Sequence, residues 1–286
     1  KTKDINFKKW DTYVPAKEET LIGGLTFLKN WEIRSEVTNA LGKIFVKNLK
    51  DNKEEELIFS DEEVFDGGVS LVQKDKNTDL IHISYSTPKT QSRVYLYNLR
   101  TKEKKLVKEQ IIPSGHNSND YVVERLECLS HDGRKVPLTI TRHKKTKIDG
   151  NANLLLYGYG SYGNSMSPSF SSTRLSLINR DIIWVTAHIR GGLERGMKWW
   201  KEGKLLNKKN TFKDYLAVAK FLIEKKYTSK GKIVGMGGSA GGLLMGVAVN
   251  ESPELFCAVV MAVPFVDSLT TNLDHSLPLT IGEFDE

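Results

Sequence analysis

The chain has 286 residues, 39% hydrophobic and 27% charged, enough for one large or two ordinary domains with cores of their own. Its net charge of +7 is spread thinly: residues 1–150 carry 27 Lys and Arg against 23 Asp and Glu, and residues 151–286 carry 15 against 12. With no basic cluster and no interleaved aromatics, no nucleic-acid partner is expected, and the longest apolar run, residues 257–266, is half of what a membrane-spanning helix needs.

The N-terminus, KTKDINFKKW, lacks an initiator Met and an apolar stretch of signal-peptide length, so a cytoplasmic location is expected. Up to about residue 150 the chain runs in short alternating segments rich in β-branched and aromatic residues, separated by polar turns, which is an all-β signature. Two stretches match at an offset of 50 residues: IFVKNLK (44–50) with VYLYNLR (94–100), Trp31 and Ile33 with Ile81 and Ile83, and Leu57 with Val107. That period fits about two blades of a β-propeller, while a sandwich with two similar hairpins would look much the same. Because an open pair of blades leaves edges bare, the chain is expected to lack its beginning. Cys128 and Cys257 each sit in a strand-like stretch and read as buried, reduced thiols. Among the six histidines, His82, His116, His131 and His143 have no metal-ligand spacing, and neither metal nor cofactor is expected.

From residue 150 strands and helices alternate. NLLLYGYG (153–160) and DIIWVTAHI (181–189) are apolar runs of the kind buried parallel strands use. Residues 210–232 read as a helix capped by Asn210 or Thr211, with Phe212, Tyr215, Leu216, Ala219, Leu222 and Ile223 on one stripe. A strand over Ile233–Met236, the sequence GGSAGG (237–242) and a helix over Leu243–Asn250 follow, and the last clear strand is Cys257–Val263.

Strand, G-x-S-x-G and helix in that order form the nucleophile elbow of an α/β-hydrolase, a doubly wound, mostly parallel sheet. The glycines let strand and helix pack around a sharply turned serine. Ser239 is the expected nucleophile, and the Ala240 amide, opening the helix, is expected to face the developing oxyanion. A glycine-rich turn without chemistry is the alternative; neither phosphate-binding glycine pattern is met.

At this point the residues resemble a family. YGYGSYG (157–163), AHIRGG (187–192), GKLLNKKNTFKDY (203–215), GGSAGGLLMG (237–246), PELF (253–256) and PFVDSLTTNLDHSLPLTIGEFDE (264–286) resemble the prolyl oligopeptidase family of serine peptidases, its oligopeptidase B branch in particular. SHDGRKVP (130–137) resembles that family's entry into its catalytic domain. The resemblance implies a partial propeller over 1–125 and the first part of an α/β-hydrolase domain over 126–286, and an enzyme cutting short basic peptides after Arg or Lys. By position it implies that Tyr159 gives its hydroxyl to the oxyanion hole beside Ala240, and that Glu283 and Asp285 sit under the substrate's basic side chain. A carboxylate pair matches a guanidinium, and no Lys or Arg follows Lys232 while seven acids do.

The sequence also departs from the pattern. Ser167 and Ser169 stand where oligopeptidase B enzymes often have two acids, which puts a preference for paired basic residues in doubt, and Leu193 replaces a usual glycine in RGGLERG. His188 and Arg190 are expected to pack or pair locally. The family's acid and histidine are expected beyond Glu286, since the 47 residues after Ser239 hold one βα unit and a tail. His275 with Asp267 or Asp274 is a poor substitute, because His275 falls at a specificity-loop position. Two other readings stay open: an inactive fragment that binds or assembles, through a separate C-terminal piece or self-association, and an esterase on the same scaffold. A parallel sheet ending on its sixth strand is expected to expose an apolar edge.

Overall fold

Alternating apolar and polar residues in the first hundred positions produce two antiparallel sheets in the computed structural model, which describes residues 10–62 and 64–277. The first sheet contains β1 (Thr20–Phe27), β2 (Trp31–Thr38), β3 (Leu41–Asn48) and β4 (Glu54–Glu56). The second contains β5 (Asp66–Leu71), β6 (Leu80–Ser86), β7 (Arg93–Asn98) and β8 (Lys104–Glu109). Each strand bonds to the next in chain order, the connectivity of successive propeller blades. The 50-residue offset is visible in space: Trp31 and Ile33 of β2 and Ile81 and Ile83 of β6 lie in one apolar cluster with Val46, Phe59 and Leu99. The match of Leu57 with Val107 fails: Leu57, just past the short β4, bonds through its N to Ile44 O and joins the apolar cluster at 8% exposed, whereas Val107 lies within the longer edge strand β8 at 55%.

β2 is buried on both faces. Opposite the Trp31–Ile33 face, Glu32, Arg34 and Glu36 are buried beneath the segment before β1. Tyr13 Oη donates to Glu32 Oε2 at 2.5 Å, Lys17 Nζ to Glu36 Oε1 at 2.6 Å, and Arg34 forks onto Glu54 at 2.7 and 2.9 Å. Charged side chains tolerate burial only when paired in this way.

The rest of the chain adds β9 (Tyr121–Leu129), β10 (Lys135–His143), β11 (Leu154–Tyr157), α1 (Ser172–Ile178), β12 (Ile183–Ala187), α2 (Gly196–Lys201) and α3 (Lys209–Glu224). It continues through β13 (Ile233–Gly238), α4 (Ala240–Glu251), β14 (Phe256–Ala262) and α5 (Ser268–Leu273). The sheet order is β14-β13-β11-β12-β10-β9, parallel from β14 to β12 and antiparallel from β12 to β9. Leu154, Leu156, Ile183, Val185 and Ile233 of the sheet form one core with Tyr215, Val218 and Leu222 of α3 and Leu244 and Met245 of α4. These are the strands and helices of an α/β-hydrolase sheet.

Further details differ from the sequence expectations: α3 begins at Lys209 with Lys208 at its N-cap, so neither Asn210 nor Thr211 caps it. α3 ends at Glu224 rather than running to 232, because Lys226 takes the left-handed conformation at φ 61. Lys226 N then donates to Ile223 O and Tyr227 N to Leu222 O, a Schellman stop built without glycine. Cys257 is exposed rather than buried, because β14 is an edge strand of the described sheet and is exposed on both faces, as Val260 and Met261 also show; Cys128 is buried as expected.

The blades meet the hydrolase sheet where the β2–β3 turn touches the loop after β12. Ala40 N donates to Glu194 O at 2.8 Å, and Arg195 pairs with Glu19 while donating to Lys135 O at 2.7 Å.

Candidate active site

Ser239 stands at the end of β13, next to the middle of the parallel sheet, where α4 begins. Its backbone has φ 55 and ψ −120, outside the helical, extended and left-handed helical basins. Three hydrogen bonds hold this conformation: Ser239 N donates to Ala262 O at 2.9 Å, and Ser239 O accepts from Gly242 N at 2.8 Å and Phe265 N at 3.0 Å. A strained serine fixed from both sides, with an exposed side chain, is the geometry of an elbow. The flanking glycines are required by contact. A Cβ on Gly237 would lie 2.2 Å from Gly241 O, and one on Gly241 would lie 2.9 Å from Gly158 O.

The Ala240 amide is the first N–H of α4, with no acceptor in its own helix and the positive pole of that helix behind it. Tyr159 lies two residues past β11, which pairs directly with β13, so both reach the carboxyl edge of the sheet, where open α/β sheets bind ligands. Tyr159 Cδ2 lies 3.4 Å from where a Cβ of Gly241 would be, which puts the ring against the first turn of α4. Ser239, Ala240 and Tyr159 are therefore neighbours. Glu283 and Asp285 lie outside the described residues.

The alternative acid–histidine set is not assembled. Asp267 caps α5 through Thr270 N at 3.1 Å, and Asp274 accepts from Ser276 N and Oγ at 2.9 and 2.6 Å. Among the described residues no hydrogen bond or ion pair joins His275 to either acid or to Ser239. No group of three or more His, Cys, Asp or Glu among them is placed to hold a metal.

Beneath the site, Arg190 is 1% exposed and clamped by two acids. Its Nε and Nη2 donate to Asp214 at 2.8 and 2.6 Å, and its Nη1 and Nη2 donate to Asp132 at 2.6 and 3.2 Å. Ser130 Oγ donates to Asp214 at 2.5 Å. The clamp ties the β9–β10 turn, the loop after β12 and α3 together, and it sets Gly191 against the Tyr159 loop: at φ 100, a Cβ there would lie 1.9 Å from Gly160 O. Arg190 and His188 are both packed in the interior, but their hydrogen-bond partners Asp214, Asp132 and Thr139 lie 24, 58 and 49 positions away in the chain. Asp214, absent from the sequence expectations, was findable by spacing, since it falls between Thr211 and Tyr215 on the buried stripe of α3.

His188 and Glu194 are both buried, with the His188 Nδ1 and Glu194 Oε1 atoms 4.0 Å apart. Burial, with the Arg125 charge beside it, holds the imidazole well below its ordinary pKa, while Nε2 meets Thr139 Oγ1 at 2.9 Å. Burial pushes the Glu194 carboxyl from 4.5 up to about 7, although its Oε1 accepts from Met166 N at 2.9 Å. The folded protein thus keeps a proton that the unfolded chain has lost, so this group's contribution to stability falls as pH rises from 4.5 to about 7. Urea unfolding at pH 5 and pH 7.5 should show a smaller drop for Glu194→Gln than for the wild type; an equal drop would mean that Glu194 is not the source.

A helix-flanked, mostly parallel sheet with a serine elbow, joined to propeller blades, defines a two-part molecule of the α/β-hydrolase class. A family model described as the prolyl oligopeptidase family matches residues 168–286, and one described as the N-terminal β-propeller domain of prolyl oligopeptidase matches residues 1–110. The chain belongs to the prolyl oligopeptidase family. It is 38% identical, over its whole length and 39% of the relative, to dipeptidyl aminopeptidase BI of Pseudoxanthomonas mexicana. It is 42% identical, over 76% of its length and 31% of the relative, to protease 2 of Moraxella lacunata. The structure of oligopeptidase B from Trypanosoma brucei with covalently bound antipain superposes with a TM-score of 0.88 at 35% identity, covering 96% of this chain and 39% of that one. Oligopeptidase B from Leishmania major gives 0.87 at 32% identity, covering 94% and 39%. The chain thus spans about two fifths or less of the length of these relatives. Among the described residues no helix is long and apolar enough to cross a membrane.

Proposed function

We propose that the chain is the elbow-bearing part of a serine oligopeptidase of the oligopeptidase B type, hydrolysing short peptides after Arg or Lys. The observation that carries this reading is the strained backbone of Ser239, held by Ala262, Gly242 and Phe265 at the carboxyl edge of the sheet. In the reaction, Ser239 Oγ attacks the scissile carbonyl carbon while its proton passes to a histidine, paired with an aspartate, supplied from outside these 286 residues. The carbonyl oxygen becomes an oxyanion that accepts from the Ala240 amide and the Tyr159 hydroxyl. Such neutral donors, fixed in advance, lower the barrier by about 3–4 kcal/mol each. Collapse expels the leaving amine, protonated by the same histidine, and water then cleaves the acyl ester on Ser239.

Preference for a basic residue rests on Glu283 and Asp285, the acid-only tail and the likeness to two oligopeptidase B enzymes. Losing one member of a desolvated charge pair costs about 2–5 kcal/mol. Glu283→Ala with Asp285→Ala in the intact protein should therefore lower kcat/KM for an arginyl amide about a hundredfold, leaving a simple acyl ester within about threefold. Equal loss on both substrates, or arginyl amides cleaved no faster than alanyl ones, would remove the basic-pocket assignment.

A further inference from the structure

Tyr159 is useful as an oxyanion donor only if its hydroxyl is held still, and the backbone on its two sides is held differently. On the N-terminal side Gly158 N donates to Met236 O at 3.1 Å, extending the β11–β13 ladder. On the C-terminal side the chain leaves the sheet at once and turns through Gly160 at φ 69. Among the described residues no strand includes this turn, and the next backbone pairing comes at Gly163, whose N donates to Gly191 O at 2.9 Å and which bridges Gly192. Within the turn the Gly160 carbonyl lies between the Gly191 backbone and the ammonium of Lys208, which donates to Gly160 O at 2.9 Å and also to Ser161 Oγ. Ser161 is 2% exposed, so its hydroxyl has little access to water as a substitute partner.

We infer that Lys208, standing just before α3, is a positioning residue that fixes the Tyr159 hydroxyl over the elbow by pinning Gly160 and Ser161. The inference rests on the proposed role of Tyr159. Charge-assisted bonds are about twice as strong as neutral ones, and α3 is anchored to the same core as the elbow helix. The loop carrying Tyr159 is thereby tied to the loop after β12 through Gly191 and to α3 through Lys208. A side chain that holds a donor, rather than donating itself, should affect the rate of the chemical step and not substrate binding.

The test is a double-mutant cycle on the intact protein, measuring kcat and KM for an arginyl amide. Removing an oxyanion-hole donor lowers kcat by about 10²–10³-fold, so a loosened donor should lose part of that. Lys208→Met should lower kcat about tenfold with KM changed less than about twofold, and Lys208→Arg should recover part of the loss. Ser161→Ala, which removes one of the two bonds from the other end, should lower kcat in the same direction and guards against a Lys208 variant that fails to fold. In a Tyr159→Phe background neither change should lower kcat further. If Tyr159→Phe lowers kcat but Lys208→Met and Ser161→Ala multiply that loss, or leave the wild-type kcat unchanged, Lys208 does not act through Tyr159 and this inference falls alone. If Tyr159→Phe leaves kcat unchanged, the oxyanion role of Tyr159 falls and the inference falls with it.

Discussion

Replacing Ser239 with alanine is expected to lower peptide hydrolysis by the intact protein on the order of 10⁶-fold, leaving only what the oxyanion donors and substrate binding supply. The size of the loss follows from the covalent route: without Oγ no acyl-enzyme forms, and the imidazole has no hydroxyl to deprotonate. Little stability should be lost with it. The Ser239 side chain is exposed and makes no hydrogen bond among the described residues, while the bonds that hold the elbow all run through its backbone. Alanine keeps the same Cβ and therefore the same strain at φ 55. The check is kcat measured beside a melting curve. A variant that melts with the wild type and has lost activity places the effect in chemistry, and one that retains more than about a tenth of the rate would rule out a serine nucleophile at this position.

The largest expected effect on stability comes from Arg190. Arg190→Met removes the only opposite charge paired with Asp214 among the described residues and leaves this fully buried carboxylate with two neutral donors, the Ser130 hydroxyl and the residue 190 amide. Breaking a buried pair from one side costs about 3–5 kcal/mol, whereas a pair as exposed as Arg93–Glu109, at 32% and 37%, is worth less than about 1 kcal/mol. Arg190→Met should therefore lower the midpoint of denaturant unfolding far more than Arg93→Met. Adding Asp214→Leu should recover part of the loss by removing the unpaired charge. If the double variant is no more stable than Arg190→Met, the clamp's contribution lies in packing against Trp199 rather than in charge pairing.

The fold was legible where a local period or a glycine requirement carried it. The blades announce themselves because strand residues alternate and because Trp31 and Ile33 recur as Ile81 and Ile83. The elbow does so because Gly237 and Gly241 are needed for backbone contact that no side chain permits. What stayed hidden depends on partners distant in the chain. The burial of Glu32 and Glu36 depends on Tyr13 and Lys17, which reach them from 19 residues away. Cys257 reads as core from its apolar neighbours, yet it lies on the outermost described strand. Neither the Lys208 contact nor the buried Glu194 has a local signature, since each is defined by loops that meet only after the sheet has formed. The candidate site divides in the same way: Ser239 and Ala240 follow from the elbow pattern, whereas Tyr159 stands out only through the family resemblance and the pairing of β11 with β13.

The most direct measurement is labelling of the native protein with a serine-directed fluorophosphonate, with the modified residue located by peptide mass spectrometry. A nucleophile activated in a working site should give a single adduct on Ser239, blocked by prior incubation with an arginyl peptide substrate. Native protein that takes no label at Ser239, or carries it on another serine while still cleaving arginyl amides, would contradict the assignment.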